Sequence, residues 1–314
     1  MAVTHRARHT ITVGAPAPTV YGIIADAAAW PRVFPPSVHV ERIPLGDGEE
    51  TLRVWATAHG GVKSWESRRR LDPDGLTIGF RQVRTSAPAA SMGGEWRLRP
   101  LSGTSCEVEL LHEFTAVDDD PENVAWLNRA LDENSSAELS RMKATAESVD
   151  RLGELLCTFD DAVRIAAPAA EVHAFLWRAR AWEERLPHVA RVELTEPGPD
   201  VQTLEMDTIA RDGSRHTTAS VRVDLGPSRI VYKQLRVPPL LTAHVGAWLL
   251  DEEDGETTAT ARHTVVVDPS AVRLLGPGST VADARAYVRD ALGTNSLATL
   301  RHAKEFTERA AATG

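Results

Sequence analysis

Residues 15–35 read APAPTVYGIIADAAAWPRVFP, and residues 167–187 read APAAEVHAFLWRARAWEERLP. Ala-Pro, Val20/Val172, Trp30/Trp182 and Pro35/Pro187 coincide at one constant spacing. The same spacing pairs Ile78 with Ile230, Phe80 with Tyr232, Gln82 with Gln234, Gly94 with Gly246 and Trp96 with Trp248. Near the end of each half, ALDENSSAELSRMKATAE matches ALGTNSLATLRHAKEFTE, with Asn134–Ser135 against Asn295–Ser296. The spacing has widened there, so the second half carries extra residues around DPSAVRLLGPGST. A repeat this long exceeds the roughly 20–50 residues of a solenoid unit. It marks a duplicated domain, with residues 1–150 and 151–314 expected to fold as two units joined near SVDRLGELL. A chain of 314 residues suits two domains of about 150 each.

Each half runs in the same order. A short strand (HTITV, DAVRI) leads through Ala-Pro into a helix whose Val20, Ile23 and Ile24, or Val172, Phe175 and Leu176, form one apolar stripe. Pro16 and Pro168 suit the first helical turn. Strands follow, punctuated by GDGEE, HGG, DPDG and SGTS in one half and by EPGPD, RDGS, GPS and DEEDGE in the other. A long helix closes each half. Helix, many strands, then helix predicts an α+β fold, an antiparallel sheet curled around its terminal helix with a cavity between them.

Composition narrows the function. There are 44 acidic against 35 basic residues, a net charge of −9, and nucleic-acid binding needs a concentrated excess of cations instead. Cys106 and Cys157 form neither a disulfide framework nor a metal-ligand pattern and fit a reducing cytoplasm. No apolar run reaches membrane-spanning length and the N-terminus lacks a signal-peptide core, so the expectation is a soluble cytoplasmic protein. No Gly-rich phosphate loop, HExxH, CxxC or GxSxG is present.

The segment SWESRRR, residues 64–70, carries the most informative charges. Strand parity separates Trp65, Ser67, Arg69 and Leu71 from Glu66, Arg68 and Arg70. The first set should face the cavity, which turns one guanidinium into an apolar space at a cost of several kcal/mol unless it is paired. At the constant spacing of the repeat, Trp65, Ser67 and Arg69 fall opposite Thr217, Ala219 and Val221, and Arg70 opposite Arg222. On that alignment the second copy lacks the inward hydroxyl and charge, so the fold does not require them. The alternative is a surface arginine cluster with slipped phase. Other cavity candidates are Trp30, Phe34, Met92, Trp96, Leu131 and Asn134, the last placed with Leu127 and Leu131 on one helix face, although its recurrence as Asn295 also fits a role in the fold. His112 and His263 align and read as core histidines.

Trp30 with PRVFP, SWESRRR, MGGEW and a long C-terminal helix bearing Asn-Ser together resemble the polyketide cyclase branch of the START/Bet v 1-like helix-grip superfamily. The tandem arrangement resembles the di-domain aromatase/cyclases of bacterial type II polyketide synthases. The resemblance implies a poly-β-ketone delivered by an acyl carrier protein, and ketosynthase and ketoreductase components as further partners. It also implies aldol closure of the first ring, C7 to C12 of a chain reduced at C9, then dehydration to an aromatic product, with no metal or organic cofactor. Arg69 and Ser67 would be the polar catalytic centre; Trp30, Phe34, Trp65, Met92, Trp96, Leu131 and Asn134 would hold the substrate. The second domain would chiefly support the first or share in the later dehydration, with Trp182, His188 and Trp248 able to bind part of the substrate. The rival readings are a non-catalytic carrier of an apolar ligand and an interaction scaffold for the synthase.

Overall fold

The computed structural model describes residues 2–58, 61–209, 213 and 215–313. The HGG turn lies mostly outside these residues, as does RDGS. The chain divides into two units, Met1–Asp150 and Arg151–Gly314. The first contains β1 (His5–Val13), α1 (Ala17–Ala25), α2 (Trp30–Val33), β2 (Ser37–Gly46), β3 (Glu49–Ala58), β4 (Gly61–Asp72), β5 (Thr77–Gln82), β6 (Ala89–Ser102), β7 (Ser105–Ala116) and α3 (Pro121–Ala146). After α4 (Val149–Leu155), the second repeats the order as β8 (Leu156–Ile165), α5 (Ala169–Trp177), α6 (Trp182–Arg185), β9 (Val189–Gly198), β10 (Val201–Ile209), β11 (Arg215–Asp224), β12 (Arg229–Arg236), β13 (Leu241–Glu253), β14 (Glu256–Val267) and α7 (Val281–Thr313). Each unit holds a seven-stranded antiparallel sheet, ordered β1-β7-β6-β5-β4-β3-β2 and β8-β14-β13-β12-β11-β10-β9. These are tandem α+β domains, each a curved antiparallel sheet gripping its C-terminal helix. No helix among the described residues is long and apolar enough to cross a membrane.

Strand β7 shows why the sequence pleats as it does. Cys106, Val108, Leu110, Phe114 and Ala116 are buried on one face. The alternate Glu107, Glu109 and Glu113 meet Arg99, Arg8 and Arg6 of the flanking strands on the other. Helix α3 starts on Pro121 with the Asp120 carboxylate accepting from the Glu122 amide at 2.8 Å, an N-cap. Its buried stripe is Leu127, Leu131, Ser135, Leu139, Met142 and Ala146. In the second unit, Thr280 and Asp283 exchange side-chain and backbone hydrogen bonds at the start of α7, a capping box.

A matching glycine in each sheet is required by space. Gly94 lies between Phe80 and His112 across the sheet, and Gly246 between Tyr232 and His263. A Cβ on Gly94 would stand 2.1 Å from the Leu111 carbonyl oxygen and 2.6 Å from Phe80 Cζ; on Gly246 it would stand 2.3 Å from the Tyr232 hydroxyl and 2.8 Å from the Arg262 carbonyl oxygen. Backbone cannot yield as a flexible side chain does. Gly94→Ala and Gly246→Ala are expected to destabilise the protein by at least the ~1–3 kcal/mol of an overpacked core, measured by chemical denaturation of the full chain.

Candidate functional site

Strand β4 has the expected phase. Ser67 and Arg69 are buried, Trp65 and Leu71 half-buried, and Glu66, Arg68 and Arg70 exposed. Arg69 is 3% exposed, and its guanidinium makes three hydrogen bonds. Its Nε donates to Glu50 Oε1, Nη1 to the Ile24 carbonyl at 2.9 Å, and Nη2 to the Ala25 carbonyl. Those carbonyls end α1 and have no intrahelical partner. The Trp30 ring stacks beneath the guanidinium at 5.3 Å. Glu50, itself buried, also accepts from Arg42 Nε at 2.9 Å. Burial pulls the Arg69 pKa below its ordinary value, opposed by Glu50. Three of the five guanidinium N–H donors are committed in these bonds. Ser67 donates its hydroxyl proton to the Arg81 carbonyl at 3.2 Å, so toward anything else it is an acceptor.

The register of the second sheet corrects the alignment used above. Arg69 pairs with Glu50 and Phe80, and Arg222 pairs with Gln202 and Tyr232. Ser67 pairs with Leu52 and Gln82, and Ser220 with Leu204 and Gln234. The counterparts of Ser67 and Arg69 are therefore Ser220 and Arg222, not Ala219 and Val221. The β10–β11 hairpin is one residue longer than β3–β4, and the β11–β12 turn is one residue shorter than β4–β5. The two changes cancel, so the constant spacing resumes downstream and hides the slip. Arg222 faces inward, 2% exposed. It donates to Gln202 Oε1 at 2.8 Å and to the Leu176 and Trp177 carbonyls that end α5. Trp177 and Trp182 lie 5.2 and 4.9 Å from its guanidinium. Burial pushes its pKa down to about 9, against the opposing charges of Tyr232 and Asp224. The buried arginine thus belongs to both copies of the fold.

The remaining candidates separate. Trp30 bridges two apolar clusters, one with Phe34 and Trp96 and one with Trp65. Trp30 and Phe34 meet edge to face at 5.9 Å. Met92 and Leu131 pack elsewhere, with Phe114 and Leu127. Asn134 is exposed and does not join Leu127 and Leu131 in the buried stripe. The stripe advances mainly by four residues, each step adding about 40° around the helix, so Ser135 takes the buried position and Asn134 is left at its edge.

Sequence reasoning missed Glu138. It follows Leu131 by two helical turns, on nearly the same face of α3. It is half-buried and has no hydrogen-bond or ion-pair partner among the described residues. Loss of hydration pushes its carboxyl up to about 7, so it holds or releases a proton near neutrality. The repeat carried a signal for it, since the Asn134/Asn295 spacing sets Glu138 against Thr299. His112 is held neutral, down to about 4 by burial and by His9, against the edge of Phe80 at 5.6 Å.

Two antiparallel sheets, each gripping a C-terminal helix and each with a buried arginine turned inward, define a tandem helix-grip protein with two polar interiors. Comparison with known proteins agrees. Residues 4–147 and 165–284 match two families, both described as polyketide cyclase/dehydrase and lipid transport. The granaticin polyketide synthase bifunctional cyclase/dehydratase of Streptomyces violaceoruber is 45% identical over 308 residues, 98% of this chain and 95% of that one. The actinorhodin polyketide synthase bifunctional cyclase/dehydratase of Streptomyces coelicolor is 47% identical over 310 residues, 95% and 96% of the two chains. The crystal structure of the di-domain ARO/CYC BexL from the BE-7585A biosynthetic pathway superimposes with a TM-score of 0.90 at 49% identity, covering 97% of this chain and 99% of that one. This chain belongs to the polyketide cyclase/dehydrase family.

The Glu138 carboxyl has a consequence for stability. Its folded pKa of about 7 lies above the ordinary 4.5, so the folded state binds the proton more tightly. The stabilising contribution is full below pH ~4.5 and is lost as pH rises through ~7. Glu138→Gln should therefore be more stable than wild type above pH 7 and flatten the stability profile between these limits, as read from denaturation midpoints against pH.

Proposed function

We propose that this protein is a polyketide aromatase/cyclase. It receives a poly-β-ketone from an acyl carrier protein, closes the first ring by intramolecular aldol condensation and dehydrates it toward an aromatic product. The observation that carries the reading is Glu138, an unpaired carboxyl poised near neutrality on the helix that covers the sheet bearing Arg69. The names of the relatives support the same chemistry, and the family resemblance supports closure between C7 and C12 of a chain reduced at C9.

The first domain supplies the groups that this reaction needs. Glu138 as carboxylate takes the proton from a carbon between two carbonyls. Arg69 stays protonated and cannot act as that base; its positive charge stabilises the enolate. Ser67, its hydroxyl already donating to the Arg81 backbone carbonyl, accepts from a bound water or an enol hydroxyl and orients it. After carbon–carbon bond formation, the Glu138 acid returns its proton to the new alkoxide. Trp30, Phe34, Trp65 and Trp96 form apolar walls that make the chain bend at one place. Because poly-β-ketones cyclise unaided, choosing which carbons meet is the larger part of the task.

The test is a reconstituted synthase with product analysis. Glu138→Gln should lower formation of the correct ring by about 10²–10⁴ while the protein stays folded. Arg69→Lys keeps a cation but loses the fork, and should shift products toward spontaneous rings. Unchanged products with both variants would favour the carrier reading, in which the cavity holds an apolar ligand without acting on it.

A further inference from the structure

Tyr232, His244 and His263 stand on β12, β13 and β14 with their side chains on the inner face of the second sheet. Gly246 separates Tyr232 from His263 across the strands, and its missing Cβ lets the phenol lie over it. The Tyr232 hydroxyl reaches His263 Nδ1 at 3.2 Å, and His244 Nε2 reaches the same nitrogen at 3.0 Å. His244 and His263 are 3% and 4% exposed, and His263 Nε2 is buried without a partner. So is Gln234 Oε1, two residues beyond Tyr232 on the inner face of β12. Tyr232 itself is half-buried and is the member of the cluster that retains open surface.

The first domain shows that this network is not needed for folding. Its matching row keeps the glycine and the histidine, Gly94 and His112, but has Phe80 in place of Tyr232 and Met92 in place of His244. The acids change in the other direction. Glu50 and Glu138 of the first interior correspond to Gln202 and Thr299 of the second. Thr299 is buried and bonds to the Asn295 carbonyl at 3.1 Å. The second interior has therefore lost both carboxyls and gained a phenol and an imidazole. Burial keeps both imidazoles uncharged, His244 down to about 3 and His263 to about 4. A neutral imidazole offers one donor and one acceptor.

We propose that the second domain holds its own binding site for a neutral, oxygen-bearing ring, a hydroxy ketone or phenol of the kind that ring closure produces. This rests on the polyketide reading above. The ring oxygen hydrogen-bonds to the Tyr232 phenol, which His263 and His244 hold in place, while Trp248, whose ring centroid is 6.4 Å from that of Tyr232, packs against the ring. Its neighbouring carboxylate, Asp161, is tied up by both Nη groups of Arg289 at 2.7 Å, and with Glu50 and Glu138 replaced this site receives the closed ring and leaves enolate chemistry to the first domain. Its place in the sequence is after the aldol step.

The probe is 1-hydroxy-2-acetonaphthone, a stable aromatic hydroxy ketone, titrated into the full chain with tryptophan fluorescence as readout. Tyr232→Phe and His244→Met each install the residue that the first domain carries, so neither should disturb packing. Tyr232→Phe should weaken one class of site about tenfold, the loss of one buried hydrogen bond; His244→Met should weaken the same class, and Glu138→Gln should leave it unchanged. Absence of binding by wild type, or identical titrations for wild type and Tyr232→Phe, would overturn the proposal. Tyr232-dependent binding by a protein that fails to form rings in the reconstituted synthase would keep the site and remove the polyketide reading.

Discussion

The end of a short helix is tied to a sheet by a buried guanidinium, and this occurs twice. Arg69 caps the last carbonyls of α1 and Arg222 those of α5. A helix C-terminus is a concentration of unpaired carbonyl oxygens and partial negative charge. Placing it against the inner face of a sheet is costly unless a donor of matching charge comes with it. Arginine suits this place because its fork reaches two carbonyls and a side-chain acceptor together, and its flat face stacks on tryptophan. The helix, the inner strand and the tryptophan are thereby positioned as one group. Both interiors are built outward from it.

What differs between the copies is what surrounds that shared cation. In the first domain it is neutralised by Glu50, and a second carboxyl, Glu138, is left unpaired across the interior. In the second, Gln202 accepts from the arginine without bringing charge, and Thr299 replaces the acid. Burial then lowers the arginine pKa further, to about 9. The same frame thus carries an interior suited to moving protons and an interior suited to holding a neutral polar ligand. Duplication permits this, since one copy retains the chemistry while the other drifts.

Much of this was readable in the sequence. The repeated Ala-Pro, tryptophan and Asn-Ser landmarks revealed two copies of one fold, and alternation in SWESRRR identified the single inward arginine among three. The assignment of Val221 opposite Arg69 went wrong because two one-residue length changes in flanking turns cancelled. Only cross-strand register exposes such a slip, because hydrogen bonding fixes which residues face one another. Asn134 misled for a related reason. A 3.6-residue period drifts relative to steps of four, and which edge of a helix is buried depends on the sheet it meets. Glu138 was missed although the repeat set it against a threonine, since an acid on a helix reads as solvent-facing until the covering strands are in place.

The central claim is that the inward arginine is structural in both domains before it is anything else. It is tested most directly by chemical denaturation of the full chain carrying Arg69→Ala, Arg222→Ala or Glu50→Gln. Arg69→Ala should cost about 3–5 kcal/mol, the range for removing one partner of a buried charged pair; Arg222→Ala strands neutral acceptors instead and should cost about 1–3 kcal/mol for each one left unsatisfied. Glu50→Gln, which installs the residue of the second domain, should cost less than half as much as Arg69→Ala. Denaturation of Arg222→Ala at the wild-type midpoint, or a larger loss from Glu50→Gln than from Arg69→Ala, would contradict the account.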